Sequence, residues 1–167
     1  MGWLLSIKIP YQYKQSPYFG KICDIGLVVE IWLSSIGYQP FQFALDSGAD
    51  CTIVPRHLAN LTGACLPPTP DAALTGVDGE TMPAYTGHLK LRIGSDEFGV
   101  RCLFTESDKT PLLLGRVDFF SLFNVHFDNR NNQIVLERLN WLSIHNLHSK
   151  AFCSMRCLRG ACAPLSF

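Results

Sequence analysis

The residues with the clearest capacity for chemistry lie in the stretch Phe43-Ala44-Leu45-Asp46-Ser47-Gly48-Ala49-Asp50-Cys51-Thr52-Ile53-Val54-Pro55. An apolar strand pattern runs into an acidic, hydroxyl-bearing, glycine-containing turn and leaves it as a second apolar strand. Leu45, Ile53 and Val54 suit a buried strand, and burying an isolated charge is costly. A carboxylate set between them must be hydrogen-bonded, paired or functional, which makes Asp46 a candidate acid or base. Ser47 offers a hydroxyl that both donates and accepts, and Gly48 lets the backbone turn sharply and leaves room for another chain to approach. The competing reading of Asp46 is an aspartate that caps its own turn.

The elements that must position this turn are legible around it. From Gly26 to Leu33 and from Tyr38 to Leu45, β-branched and aromatic residues dominate, with Ser34-Ser35-Ile36-Gly37 between them. That pattern predicts a β-hairpin delivering Asp46 at its end. Arg56 to Gly63 predicts one short helix, with Pro55 at its start and Gly63 as its stop. In the segment Ala72 to Tyr85, Gly76 and Gly79 flank the two-residue tip Val77-Asp78, the composition of a flexible hairpin. Gly87 to Ile93 alternates with period two and predicts a strand with one wet face, turned by Gly94-Ser95-Asp96 into a returning strand, Phe98 to Phe104. Leu112-Leu113-Leu114-Gly115-Arg116 reads as a buried strand, Asp118 to Phe123 as a second short helix, and Val125 to Asp128 with Ile134 to Glu137 as a last hairpin. Residues 1–22 predict a terminal strand followed by a loop that Pro10 and Pro17 interrupt. The expected division is 1–22, a main domain 23–137, and a tail 138–167.

Composition narrows the function. A chain of 167 residues suits one domain, and fourteen basic against fourteen acidic residues leave no net charge. Nucleic acid is therefore not an expected partner. Charged residues make up 17%, below the typical quarter, which leaves apolar surface for a partner subunit to cover. Apolar runs such as Gly26 to Val29 are broken by Glu30 and fall short of the ~20 residues a membrane helix needs. Cys23, Cys51, Cys65, Cys102, Cys153, Cys157 and Cys162 are odd in number and irregularly spaced, with no secretory leader pattern before them, which predicts a reducing, cytoplasmic setting. Met1-Gly2-Trp3-Leu4-Leu5-Ser6 fits only the loose pattern for N-myristoylation. The spacing of His145, His148, Cys153, Cys157 and Cys162 matches none of the usual zinc patterns, so no metal is expected.

Asp46-Ser47-Gly48-Ala49-Asp50 followed by Thr52-Ile53-Val54-Pro55 resembles the active-site loop of aspartic proteases of the retroviral type, the retropepsins. Leu113-Leu114-Gly115-Arg116 is similar to the second signature of that family, and Gly76-Val77-Asp78-Gly79 falls between the two, where these enzymes carry the flap that closes over substrate. Asp118-Phe119-Phe120 and the strand after it are similar to the segment beyond the second signature in microbial members. The resemblance covers Gly26 to Glu137. It implies an all-β fold, a closed barrel forming one half of an acid protease, with one or two short helices and a flap hairpin.

The resemblance also implies a chemistry. Two carboxylates about 3 Å apart cannot both ionise, so one acts as base and the other as acid. This chain has a single Asp-Ser-Gly, and Asp78-Gly79 lacks the hydroxyl between. The implied enzyme is thus a homodimeric endopeptidase in which Asp46 faces its own copy and activates a water against a polypeptide, with no cofactor. Ser47, Gly48 and Thr52 are expected to support the loop. Gly48, Ala49, Asp50, Gly76, Val77, Asp78 and Gly79 are expected to contact substrate, and Asp50 to pair with Arg116. The alternative is a module of the same fold that binds a peptide or protein without cleaving it.

Overall fold

In the computed structural model, residues 6–76, 79–139, 155–158 and 161–164 are described. The chain opens with Ser6–Pro10 (β1), Gln12–Ser16 (β2) and Gly20–Asp24 (β3). Gly26–Leu33 (β4) and Gly37–Leu45 (β5) form the expected hairpin, in register from Gly26 opposite Ala44 to Leu33 opposite Gly37. Thr52–Pro55 (β6) leads into the short helix His57–Thr62 (α1), which Gly63 terminates in the left-handed region at φ 70°. Ala72–Thr75 (β7), Thr81–Ile93 (β8) and Asp96–Thr105 (β9) come next, then the two-residue strand Leu113–Leu114 (β10). Phe123–Asp128 (β11) and Gln133–Arg138 (β12) make the last hairpin of the main body, and Met155–Leu158 (β13) pairs with Ala161–Pro164 (β14). The described residues are all-β apart from α1 and a short kinked helix over residues 116–122.

The main sheet runs β4-β5-β10-β6-β9-β8-β7, and β4 also pairs with β8 through Glu30 opposite Arg92 and Ile31 opposite Leu91. That extra pairing closes six strands into a ring and leaves β7 outside it, attached to β8. The ring is filled by inward-facing residues with no solvent exposure, among them Leu27, Val29, Ile31, Phe43, Val54, Leu91, Phe104 and Leu114. A second sheet, β1-β12-β11, contributes Ile134 and Leu136 to the same core.

One expectation is corrected and one refined. The loop expected over residues 11–22 is instead a hairpin, β2 paired with β3 and turned at Pro17 to Phe19. No residue of either strand is fully buried, so no apolar periodicity marks them. The helix expected over Asp118 to Phe123 is present but kinked at its start: residues 116–122 are helical except at Val117 and Asp118, and β11 begins at Phe123. Asp118 sits there at φ 68°, a conformation that costs about 1–3 kcal/mol in a residue other than glycine. Burying Phe119 completely, against Phe98 and Phe123, returns about 1.5–3 kcal/mol. The Asp118 carboxylate also accepts from the Arg101 backbone N–H (2.6 Å) and from its Nε (2.9 Å) and Nη2 (2.8 Å). Together these contributions outweigh the strain.

Among the described residues, Cys23, Cys51 and Cys102 are free thiols and Cys65 is disulfide-bonded. No helix among the described residues is long and apolar enough to cross a membrane. The residues of the myristoylation pattern before Ser6, and His145, His148 and Cys153 of the tail, lie outside the described residues.

The ring closure carries a bidentate ion pair, Arg92 Nε to Glu30 Oε2 (2.7 Å) and Nη2 to Oε1 (2.8 Å), with the guanidinium over the Tyr38 ring. The bond from Arg92 holds the Glu30 carboxyl below its ordinary value. A depressed carboxyl contributes stability above the unfolded value of about 4.3 and loses it as pH falls through the folded value. The melting gap between wild type and Glu30→Gln should therefore be full at neutral pH and close in strong acid. Thermal unfolding across pH checks this, and a gap that does not change contradicts it.

Candidate active site

The Asp46 turn is held by a strand that arrives from far along the chain. β10 inserts between β5 and β6, parallel to the first (Leu113 opposite Ala44, Leu114 opposite Leu45) and antiparallel to the second (Leu113 opposite Ile53). It thereby separates the two strands that enter and leave the turn. The Asp46 N–H donates to the Leu114 carbonyl (3.0 Å), the Arg116 N–H to the Ala49 carbonyl (2.9 Å) and the Val117 N–H to the Asp50 carbonyl (2.7 Å). These bonds fix the turn at both ends.

Within the turn, Asp46 Oδ1 accepts from the backbone N–H groups of Gly48 (2.8 Å) and Ala49 (3.2 Å). Oδ2 takes no hydrogen bond from the described residues. Asp46 is half-buried, Ser47 and Gly48 are exposed, and a Cβ on Gly48 would lie 3.1 Å from Asp46 Oδ1. A side chain at 48 would therefore crowd the carboxylate. Thr52 is fully buried in β6, and its hydroxyl has no hydrogen-bond partner among the described residues. Its place in the ladder opposite Cys102, rather than a bond from its side chain, ties it to the turn.

The structure brings Asp50 and Arg116 together: Nη2 of Arg116 meets Oδ1 of Asp50. Their side chains are 84% and 60% exposed, so the pair contributes at most about 1 kcal/mol to stability. Cys51, next in sequence, is half-buried, and burial together with the Asp50 charge raises its thiol above the ordinary value. A raised thiol carries less of the reactive thiolate at neutral pH.

A cleft of about 560 Å³ opens against β6 and β10, and its lining includes neither Asp46 nor any other residue of the turn. Leu74, Gly76, Met82 and Pro83 of the β7–β8 hairpin form one wall, and Ile53, Pro111 and Leu113 the other. The second wall is built from β6 and β10, the strands that frame Asp46. Of the residues expected to contact substrate, Gly76 lies in this lining; Gly48, Ala49 and Asp50 lie on the turn outside the described lining. Gly79, at φ 82°, donates to the Gly76 carbonyl (3.0 Å) at the hairpin end, while Val77 and Asp78 lie outside the described residues. Leu74, Met82, Pro111 and Leu113 are cleft residues that the sequence did not single out as such. Their apolar types carried no signal apart from the strand pattern. Among the described residues no cluster of three or more His, Cys, Asp or Glu is placed to hold a metal.

These features define an all-β chain that presents one turn-held carboxylate and a cleft walled by a hairpin. A family model described as aspartyl protease matches residues 32–117, just over half of the chain, and the chain belongs to that family. Among solved structures, a retropepsin-like aspartic protease from Rickettsia conorii is similar over 81% of this chain and 92% of its own, at 15% identity and a TM-score of 0.48. EIAV protease, solved with the inhibitor HBY-793, is similar over 55% of this chain and 80% of its own, at 20% identity and a TM-score of 0.42. No curated protein matches the chain.

Gly115 is the residue that lets the two segments cross. A Cβ there would lie 2.2 Å from the Cys51 carbonyl oxygen and 2.7 Å from its Cα, backbone atoms that cannot yield without moving the turn. Gly115→Ala should cost about 3 kcal/mol in denaturant unfolding. A loss below ~0.5 kcal/mol, the ordinary range of a surface substitution, would contradict the crossing.

Proposed function

We propose that the protein is an aspartic endopeptidase whose active unit is a homodimer, with Asp46 of each copy supplying one carboxylate of the catalytic pair. The observation that carries this reading is the Asp46 turn. One oxygen is fixed by two backbone N–H groups and the other is left without a bond from the described residues, and the strands that frame the turn also wall an apolar cleft. Membership of the aspartyl protease family supports it.

A single carboxylate cannot be both base and acid in one step. Two copies brought together share one proton, because repulsion raises the second ionisation, and the pair titrates as a unit. The ionised member takes a proton from water, and the protonated member donates to the scissile carbonyl oxygen as the tetrahedral intermediate forms. No covalent bond to the enzyme is made. Ser47, exposed at the turn, is suited to brace its counterpart across the two-fold axis. Asp50, held by Arg116, and the glycines Gly48, Gly76 and Gly79 offer backbone and charge to an extended peptide, and Ala49, Val77 and Asp78 are proposed as further substrate contacts. The apolar walls favour apolar side chains next to the cleaved bond.

The two bonds to Oδ1 are also those of an aspartate that merely caps its turn. Asp46→Asn separates the readings, since a carboxamide oxygen still accepts both bonds but cannot share a proton. Purified wild type should digest an unstructured polypeptide at mildly acidic pH, and Asp46→Asn should fold with an unchanged melting temperature and lose activity by roughly 10³-fold or more, the loss seen when a member of a catalytic unit is removed. Equal digestion by both proteins would sink the proposal. No digestion by either, with retained peptide binding, would favour the binding module.

A further inference from the structure

The hairpin that walls the cleft leaves the barrel at one residue. β8 is paired with β9 from Ile93, opposite Asp96, as far as Ala84, opposite Thr105; beyond Ala84 its partner is β7 alone. The free arm has only three paired positions beyond Ala84, at Pro83, Met82 and Thr81. Such an arm is held weakly along its length, so its direction must be fixed at its root.

Two side chains next to Ala84 are gripped on opposite faces of the sheet. On the buried face, the Tyr85 hydroxyl bonds to Glu106 (2.5 Å) and accepts from Arg56 Nη1 (3.0 Å), with that guanidinium 4.2 Å over its ring. On the exposed face, Asp71, the residue just before β7, takes both polar groups of Thr86: its Oδ1 accepts from the Thr86 N–H (2.8 Å) and its Oδ2 from the hydroxyl (2.5 Å). The Asp71 N–H also donates to the Ala84 carbonyl (3.2 Å). Asp71 thus ties the start of the outer strand to the last paired stretch of the inner one.

We propose that Asp71 is a positioning residue whose grip on Thr86 aims the β7–β8 hairpin over the cleft, with Pro83-Ala84 as the hinge. Asp71 is not itself part of the cleft lining; it acts through Thr86 on the angle at which Leu74, Met82 and Pro83 meet Ile53 and Leu113. This inference rests on the reading of that cleft as the place where a polypeptide is held. A loosened latch leaves the chemistry at Asp46 intact and weakens closure over bound peptide, so KM rises more than kcat falls. Damage to folding alone would reduce the amount of active enzyme, lowering apparent kcat with KM unmoved.

The test compares wild type, Asp71→Ala, Asp71→Asn and Thr86→Val in two measurements on the full chain: backbone hydrogen exchange over residues 79–84, and digestion of an unstructured polypeptide. Asp71→Ala should speed exchange in the hairpin about tenfold, the effect of losing a charge-assisted hydrogen bond, and raise KM by a similar factor. Asp71→Asn, whose carboxamide oxygen still accepts from the Thr86 N–H, should recover part of both. Thr86→Val removes only the hydroxyl bond and gives an intermediate effect, and it keeps the test open should Asp71→Ala fail to fold. Exchange at the wild-type rate in both Asp71→Ala and Thr86→Val overturns the proposal, as does faster exchange with an unmoved KM. Should wild type digest nothing, the endopeptidase reading falls with it, while the exchange comparison still decides whether Asp71 holds the hairpin.

Discussion

The site depends on one crossing of backbone over backbone. Gly115 passes Cys51 so closely that no side chain fits between them, and from that contact the chain donates to the carbonyls of Ala49 and Asp50 on one side while the Leu114 carbonyl receives Asp46 on the other. A carboxylate on a free turn would sample many positions, and each would have to be refrozen before a reacting atom could be met. Here the turn is fixed before any substrate arrives, which is the condition for electrostatic and proton-transfer catalysis to cost little reorganisation. The kinked helix after it carries its own strain at Asp118, compensated by Phe119 and Arg101, and so secures Arg116 next to Asp50.

A rigid turn gives only one carboxylate. The proton-sharing on which the proposed chemistry relies needs a second carboxylate at short range. The barrel is therefore half of a machine in the proposed account. Its cleft is likewise framed by one hairpin and one pair of strands.

The legibility of each element in the sequence depends on the surface it buries. The β4–β5 hairpin and α1 bury apolar faces with regular spacing and end at glycines or turn residues, and they emerge where the pattern predicts. The contact of Asp50 with Arg116, far apart in the chain, was accessible only through likeness to a family, since nothing local in either residue specifies the other. The β2–β3 hairpin was hidden because no residue of either strand is fully buried and so it carries no apolar period. The short helix before β11 is legible because Phe119, Phe120 and Phe123 fall at helical spacing; the kink at its start is not, since the grip of Arg101 on Asp118 is long-range and no local pattern encodes it. The latch between Asp71 and Thr86 was missed for the same reason, because a short polar pair across a hairpin root looks like ordinary surface.

The central claim, that the working site needs an Asp46 from each of two chains, is tested most directly by mixing. Wild type and Asp46→Asn are unfolded together and refolded at a fixed total concentration and varied ratio, and digestion is measured across the series. If both carboxylates are required, only wild-type pairs act, and activity scales as the square of the wild-type fraction, about a quarter of the full value in an equal mixture by random pairing of copies. Activity proportional to the wild-type fraction would show that one chain suffices and would contradict the account.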